Sequence, residues 1–370
     1  MVKRIVLTGG PSSGKSSIIE KIDQIYSAQG YKVIVVDETA TYLINKGIRP
    51  FGEGKIDMVD FQELVLKLQL AKEDIIDRAV EMIDSKDIIV VYDRGTIDNR
   101  AYVNEEEFAS VLLKVNNVSN IKEMMDKYDL VIHLVGRKEF YTTENNKARS
   151  EDVDQALKLG DVTLKGWLGH KNIRVVLPKE DFKDKIHEVL NIVNGALKEN
   201  EVITQAKYLV DLKSSDLGYL SKNSTSMDMV QTYLIANNGE ERRLRKVRMK
   251  DSVNYYYSVF RLNDECQKVL VSERAIDKSV YESLLEFRDL GKEDILKTRY
   301  YFVFQGEYFH LDIFNGDNEI GILERNVSFE SKDVLPDFLN IIDVVSNDIN
   351  YANRNLAKKV DAIQRVMKYD

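Results

Sequence analysis

Gly9-Gly10-Pro11-Ser12-Ser13-Gly14-Lys15-Ser16 matches the pattern G-x-x-x-x-G-K-[ST] in full. The glycines of such a loop let successive backbone N–H groups turn inward around phosphate oxygens. A helix opening at its far end adds the positive end of its dipole. Gly9, Gly10, Ser12, Ser13, Gly14, Lys15, Ser16 and Ser17 are therefore the expected nucleotide-binding residues. Lys15 would reach the β- and γ-phosphates of ATP or GTP, and the Ser16 hydroxyl would ligate Mg²⁺. Two charged pairs join them: Asp37-Glu38 and Asp93-Arg94 each end an unbroken β-branched run. Ligands of an open parallel sheet sit beyond the carboxyl ends of its strands. Glu38 and Asp93 are thus expected on the γ-phosphate side, as base or as Mg²⁺ ligand, with Arg94 clamping a phosphate or an acceptor. For Asp37 and, less readily, Asp93 the plainer reading is a helix N-cap. Asp98 and Arg100 read as weaker candidates or as solvated helix residues. The charged segment from Glu144 to Asp152 suits a lid whose Arg149 closes over transferring phosphates, or else a plain surface loop.

These residues need a scaffold that brings strand ends together. Residues 4–8, 32–37, 87–92, 128–135 and 172–177 read as buried strands. Between them the segments 16–29, 58–83 and 182–198 carry apolar residues at helical spacing. Strands alternating with helices predict an α/β domain with a parallel sheet and right-handed crossovers. The texture changes near residue 200, and the Ser-rich stretch Ser214–Ser226 marks a junction. We place a P-loop domain at 1–200, a linker at 201–225 and a second domain at 226–370. The second reads as α+β: segments 227–235, 241–249, 254–262, 268–272, 299–305, 308–314 and 321–327 suggest an antiparallel meander or barrel. A helix at 278–288 interrupts it, and 335–357 is expected to close the chain as a helix.

A chain of 370 residues fits two domains, and 53 Lys+Arg against 61 Asp+Glu give a net charge of −8. That balance disfavours non-specific nucleic-acid coating. One cysteine, Cys266, leaves no disulfide framework or cysteine zinc cluster, and it reads as a bystander. With no apolar run long enough to span a bilayer and no leader-like N-terminus, a cytoplasmic protein is expected, with peripheral lipid contact as an option. There is no guanine-specifying Asn-Lys-x-Asp at a strand end, and no arginine sensor helix of a hexameric motor. His133 reads as a core histidine, and Trp167 as packing.

The phosphate loop, Asp37-Glu38-Thr39-Ala40-Thr41-Tyr42, Phe61-Gln62-Glu63, Asp93-Arg94-Gly95 with Ala101-Tyr102, Ala148-Arg149-Ser150-Glu151, and Phe140-Tyr141 through Trp167–His170 resemble the P-loop family of nicotinamide-riboside kinases, often filed as AAA-type NTPases. The likeness spans nearly all of residues 1–195. It implies that Lys15 and Ser16 bind phosphate and Mg²⁺, that Glu38 and Asp93 flank the metal or acceptor, and that Arg149 belongs to the lid.

In the second half Glu241-Arg242-Arg243-Leu244-Arg245-Lys246-Val247-Arg248 is a dense basic strand. Alternation puts Glu241, Arg243 and Arg245 on one face and Arg242, Lys246 and Arg248 on the other. Lys297, Arg299, Asp312 and Glu324 on later strands are expected on the interior with the first set. Such a lining suits a polyphosphate and its metal, although a solvated basic face fits the spacing too. Gln231–Leu234, Glu241–Arg245, Glu273–Ile276, Lys297–Tyr300 and Leu323-Glu324 resemble the CYTH, or triphosphate-tunnel, family. Together the halves are similar to two-domain P-loop–CYTH proteins, a family that includes the TRPL translocation defect protein. Family catalysts open with Glu-x-Glu-x-Lys where this chain has Asp228-Met229-Val230-Gln231-Thr232, and their late Glu-x-Glu is Glu324-Arg325-Asn326 here. A further lysine is replaced by Phe260. The resemblance therefore implies anion binding by Arg243, Arg245, Lys297 and Arg299, with metal carboxylates missing.

Three functions follow as expectations. One is an Mg²⁺-dependent ATP- or GTP-binding phosphotransferase or NTPase whose second domain binds a phosphorylated small molecule or polyphosphate. Another is a non-catalytic nucleotide switch capturing an anionic lipid headgroup, nucleotide or protein. The third is a tunnel-domain triphosphate hydrolase.

Overall fold

The computed structural model describes residues 1–85, 87–115, 121–137, 153–198, 204–237, 239–249, 252–262, 268–315, 319–327, 334–346 and 348–357. The chain divides into two compact units, Met1–Val202 and Ile203–Asp370.

The first unit runs β1 (Val2–Thr8), α1 (Lys15–Ala28), β2 (Lys32–Val36), α2 (Thr39–Asn45), α3 (Met58–Met82) and β3 (Ile88–Asp93). A 3₁₀ turn over Thr96–Tyr102 leads to α4 (Glu105–Lys114), α5 (Ile121–Asp126), β4 (Leu130–Leu134), α6 (Val153–Trp167), β5 (Ile173–Val176) and α7 (Phe182–Leu197). The five strands lie in the order β2-β3-β1-β4-β5 and all pair in parallel. Unbroken apolar strands demand cover on both faces. On one face Ile18, Ile19 and Ile22 of α1 and Val189 and Val193 of α7 pack on Ile5, Leu7, Ile89 and Ile132. The strand order sets the site: β3 lies directly beside β1, so Asp93 sits opposite Leu7, two residues before Gly9 opens the loop that β1 feeds.

The second unit runs β6 (Thr204–Asp211), α8 (Gly218–Asn223), β7 (Ser224–Leu234), β8 (Glu240–Met249), β9 (Ser252–Leu262), β10 (Lys268–Ile276) and α9 (Lys278–Leu284). It continues through β11 (Ile295–Phe304), β12 (Glu307–Phe314), β13 (Ile320–Val327), β14 (Asn340–Val344) and α10 (Asn353–Leu356). Its sheet has nine strands, in the order β10-β9-β8-β7-β11-β12-β13-β6-β14, all antiparallel. One face is apolar, built on Tyr208, Val210, Phe302, Phe309, Leu311 and Leu323.

Two expectations are corrected here. The linker at 201–225 is instead structure of the second unit: residues 204–211 form β6, wedged between β13 and β14, and residues 218–223 form α8. Alternating Ala206, Tyr208 and Val210 put one side of β6 into the apolar core, a pattern hidden beside the polar Ser-rich stretch. The closing helix at 335–357 is replaced by β14 and the short α10. The free edge of β6 offers a hydrogen-bonding partner to the β-branched Asn340–Val344 run, and that run takes it.

Candidate functional sites

The phosphate loop closes on itself tightly. Gly9 has φ 139° and Gly14 has φ 94°. A Cβ on Gly9 would stand 2.3 Å from the Leu134 carbonyl oxygen, and one on Gly14 would stand 2.6 Å from the Phe182 ring. Only glycine satisfies both the conformation and the space. Lys15 is buried and folds back over the loop, donating to the carbonyls of Gly9 at 3.1 Å and Gly10 at 3.0 Å. Burial, with Arg94 adding to it, lowers its ammonium to about 8, against the pull of Asp93 and Glu38. From behind, Lys185 of α7 donates to the carbonyls of Ser13 at 2.9 Å and Val135 at 2.8 Å. No spacing in the sequence marked that lysine, because the contact spans 172 residues.

A cavity of about 460 Å³ opens from this loop. Pro11 through Ser17 form one wall, and Glu38, Asp93 and Arg94 lie where the strand ends place them. Glu38 is ion-paired with Arg94 and accepts from the Thr41 hydroxyl at 2.6 Å. Burial would raise the Glu38 carboxyl, but Arg94 and Lys15 outweigh it and hold it at about 2. Asp93 behaves oppositely: burial and the nearby Glu38 raise it to about 6, against Lys15 and Arg94. Its Oδ1 is buried and has no hydrogen-bond partner, as is true of Arg94 Nη1. Arg94 holds φ 70°, the left-handed region that a side chain enters at a cost.

The rest of the cavity wall was legible only in part. Gln62 and Gln69 of α3 are buried polar residues two turns apart on one face, a signal within an otherwise apolar stripe. Gln69 donates to the Arg94 carbonyl at 3.2 Å and accepts from Asn99 at 3.3 Å. Phe51, Phe61 and Tyr102 supply aromatic lining. Asp98, expected to be a weak candidate or a solvated residue, is 2% exposed. It accepts from Thr8 at 2.6 Å and from the Trp167 indole at 2.7 Å, so it braces the loop's parent strand. Arg100 is part-buried and donates to the Gly166 carbonyl at 3.3 Å. His133 is buried on β4, and burial, with Lys15 and Lys185, lowers it to about 3. Arg149, the segment 144–152 and Cys266 lie outside the described residues.

In the second unit the register decides which charges meet. Gln231 faces Arg245 and Tyr233 faces Arg243 across β7–β8, while Arg299 faces Asp312 across β11–β12. His310 faces Glu324, Glu324 faces Lys207, and Ser258 faces both Arg243 and Glu273. Directly opposed residues share a face, so Glu241, Arg243, Arg245, Lys297, Arg299, Asp312 and Glu324 all lie on the side away from the Phe302–Leu311 core. That face is withdrawn from water: Lys297 is 3% exposed and Asp312 1%. Asp312 accepts from Lys297 at 2.5 Å and from Arg299 at 2.6 and 2.7 Å. Burial would raise its carboxyl, but the two cations hold it at about 2. Glu324 pairs with His310 at 2.6 Å and Lys207 at 2.8 Å. Arg245 pairs with Glu273 at 2.5 Å, and Arg243 stands 3.9 Å from the same carboxylate.

No helix among the described residues is long and apolar enough to cross a membrane. No curated protein matches the sequence. Among solved structures, the inorganic triphosphatase NE1496 is similar at 24% identity, over 41% of this chain and 92% of that one, with a TM-score of 0.30. The PH1819 protein of Pyrococcus horikoshii OT3 is similar at 14% identity, over 34% of this chain and 80% of that one, with a TM-score of 0.27. A conserved hypothetical protein of Pyrococcus furiosus is similar at 14% identity over the same shares, with a TM-score of 0.26. Residues 4–185, which carry the phosphate loop, Glu38, Asp93 and Arg94, match the family model described as an AAA domain.

Proposed function

We propose that the first unit is a phosphotransferase or NTPase acting on Mg²⁺-bound ATP or GTP, and that the second unit binds a phosphorylated or polyphosphate ligand. The pairing is that of two-domain P-loop–CYTH proteins, in a cytoplasmic setting. The observation that carries the reading is the buried, unpartnered Asp93 Oδ1 in a cavity continuous with the phosphate loop. A carboxylate kept without a partner there is destabilising unless a ligand completes it.

The backbone amides of the loop and Lys15 bind the phosphate chain. Ser16 and Asp93 are the oxygen donors suited to Mg²⁺, which when bound neutralises charge on the β- and γ-phosphates. Glu38 is committed to Arg94 and Thr41, so its part is to aim the guanidinium at the transferring group. With one oxygen of its carboxylate given to the metal, Asp93 would position the acceptor hydroxyl or water beside the γ-phosphate with the other. Gln62, Gln69 and Asn99 offer amides, and Phe61 and Tyr102 apolar surface, to a small acceptor.

The test is product formation by purified protein with ATP or GTP, Mg²⁺ and a panel of small hydroxyl acceptors. Diphosphate is expected from the wild type and not from Lys15→Ala. If the wild type binds nucleotide yet forms no diphosphate with any acceptor or water, a nucleotide-dependent switch replaces this reading.

A further inference from the structure

We infer that the charged face of the second unit binds a small phosphate-bearing anion directly through Arg243 and Arg245, with no bridging divalent cation. This rests on the reading of that unit as a polyphosphate binder.

A hard cation needs several uncommitted oxygen ligands. On this face the carboxylates are already engaged. Asp312 accepts from Lys297 and twice from Arg299. Glu324 holds His310 and Lys207, with Arg299 at 3.6 Å, and Glu273 accepts from Ser258 at 2.7 Å besides holding Arg245. Drawing Asp312 away to a metal would strand the ammonium of Lys297 in a site 3% exposed, which is strongly unfavourable. Among the described residues no three carboxylate, imidazole or thiol groups converge as a metal site.

The arginine pair has the opposite character. The Nε atoms of Arg243 and Arg245 are buried and have no hydrogen-bond partner. Arg243 lies 4.3 Å from the centre of the Phe260 ring and Arg245 5.5 Å from that of Tyr256. Aromatic contact covers the guanidinium faces and leaves the donors of their edges, a fork that matches phosphate oxygens. Both guanidiniums stand on the Glu273 carboxylate, with Glu241 on the same face, and an anion relieves the repulsion between them. Their side chains are 15% and 20% exposed, too recessed for a membrane surface and suited to a free soluble anion. The lysine absent at Phe260 is thus replaced by a ring that orients a neighbouring arginine.

The experiment uses the full chain carrying Lys15→Ala, which silences the phosphate loop, and titrates inorganic tripolyphosphate by calorimetry in EDTA and in excess Mg²⁺. Binding in EDTA is expected to be at least as tight as in Mg²⁺. Adding Arg243→Ala and Arg245→Ala should weaken it by about tenfold or more, and Arg243→Lys with Arg245→Lys, which keeps charge and fold, by several-fold. Binding that appears only with Mg²⁺ overturns this inference and leaves the polyphosphate reading standing. No binding in either condition sinks both. Unweakened binding in the Lys pair places the anion elsewhere.

Discussion

The ammonium of Lys185 donates to the Ser13 carbonyl at 2.9 Å, tying helix α7 to the back of the phosphate loop. With the Val135 carbonyl, just past β4, also held at 2.8 Å, the Ser13 carbonyl is turned from the phosphate site and neighbouring loop N–H groups are left to face it. Lys185→Met removes both bonds and leaves buried acceptors unsatisfied, at a cost of about 1–3 kcal/mol. Nucleotide affinity, followed by thermal shift, should fall about fivefold to a hundredfold, at the same conversion of energy to affinity. Lys185→Arg should recover part of it. A loss of melting temperature with unchanged affinity would falsify the positioning role.

Asp93 is raised to about 6 by burial and by Glu38, so it is ionised at neutral pH and protonated below. Phosphoryl transfer should therefore fall away on the acid side, at a pH below about 6 because bound Mg²⁺ favours the carboxylate. Asp93→Asn should lower turnover about 100-fold or more while nucleotide binding measured without Mg²⁺ changes little. The acid limb should vanish from its pH profile; a limb that persists assigns the titration to another group.

Arg94 stands at φ 70° with its guanidinium on Glu38. Arg94→Gly and Arg94→Ala both lose that ion pair, and only alanine keeps the backbone penalty. The glycine variant should be more stable by about 1 kcal/mol in urea unfolding. Equal stabilities would mean that the loop relaxes once the guanidinium has gone.

Glu73 is buried in α3 and accepts from the Tyr128 hydroxyl at 2.6 Å. Burial raises its carboxyl from 4.5 to about 7, against the Tyr128 bond. A folded state that holds a proton more tightly than the unfolded one is favoured at low pH. Its contribution is complete below the unfolded value and is lost as pH rises through about 7. Glu73→Gln should match the wild type in melting temperature at pH 4 and exceed it at pH 8. The opposite order at pH 8 would show that the ionised carboxylate is the stabilising form.

The phosphate loop, the strand ends bearing Glu38 and Asp93, and the alternation of Arg243 and Arg245 were legible from local spacing alone. Each is a consequence of period, whether the two-residue period of a strand or the fixed pattern of a strand–loop–helix turn. The sequence by itself thus determined two units, a nucleotide loop and a basic strand. Partnership was left to the tertiary structure. Strand order put β3 beside β1 and so Asp93 beside the loop. Distant helices supplied Gln69 and Lys185, and antiparallel register set Lys297 and Arg299 on Asp312. Whether a carboxylate is free or already satisfied depends on what lies within about 3 Å of it, and neighbours that close come from chain segments far apart in sequence.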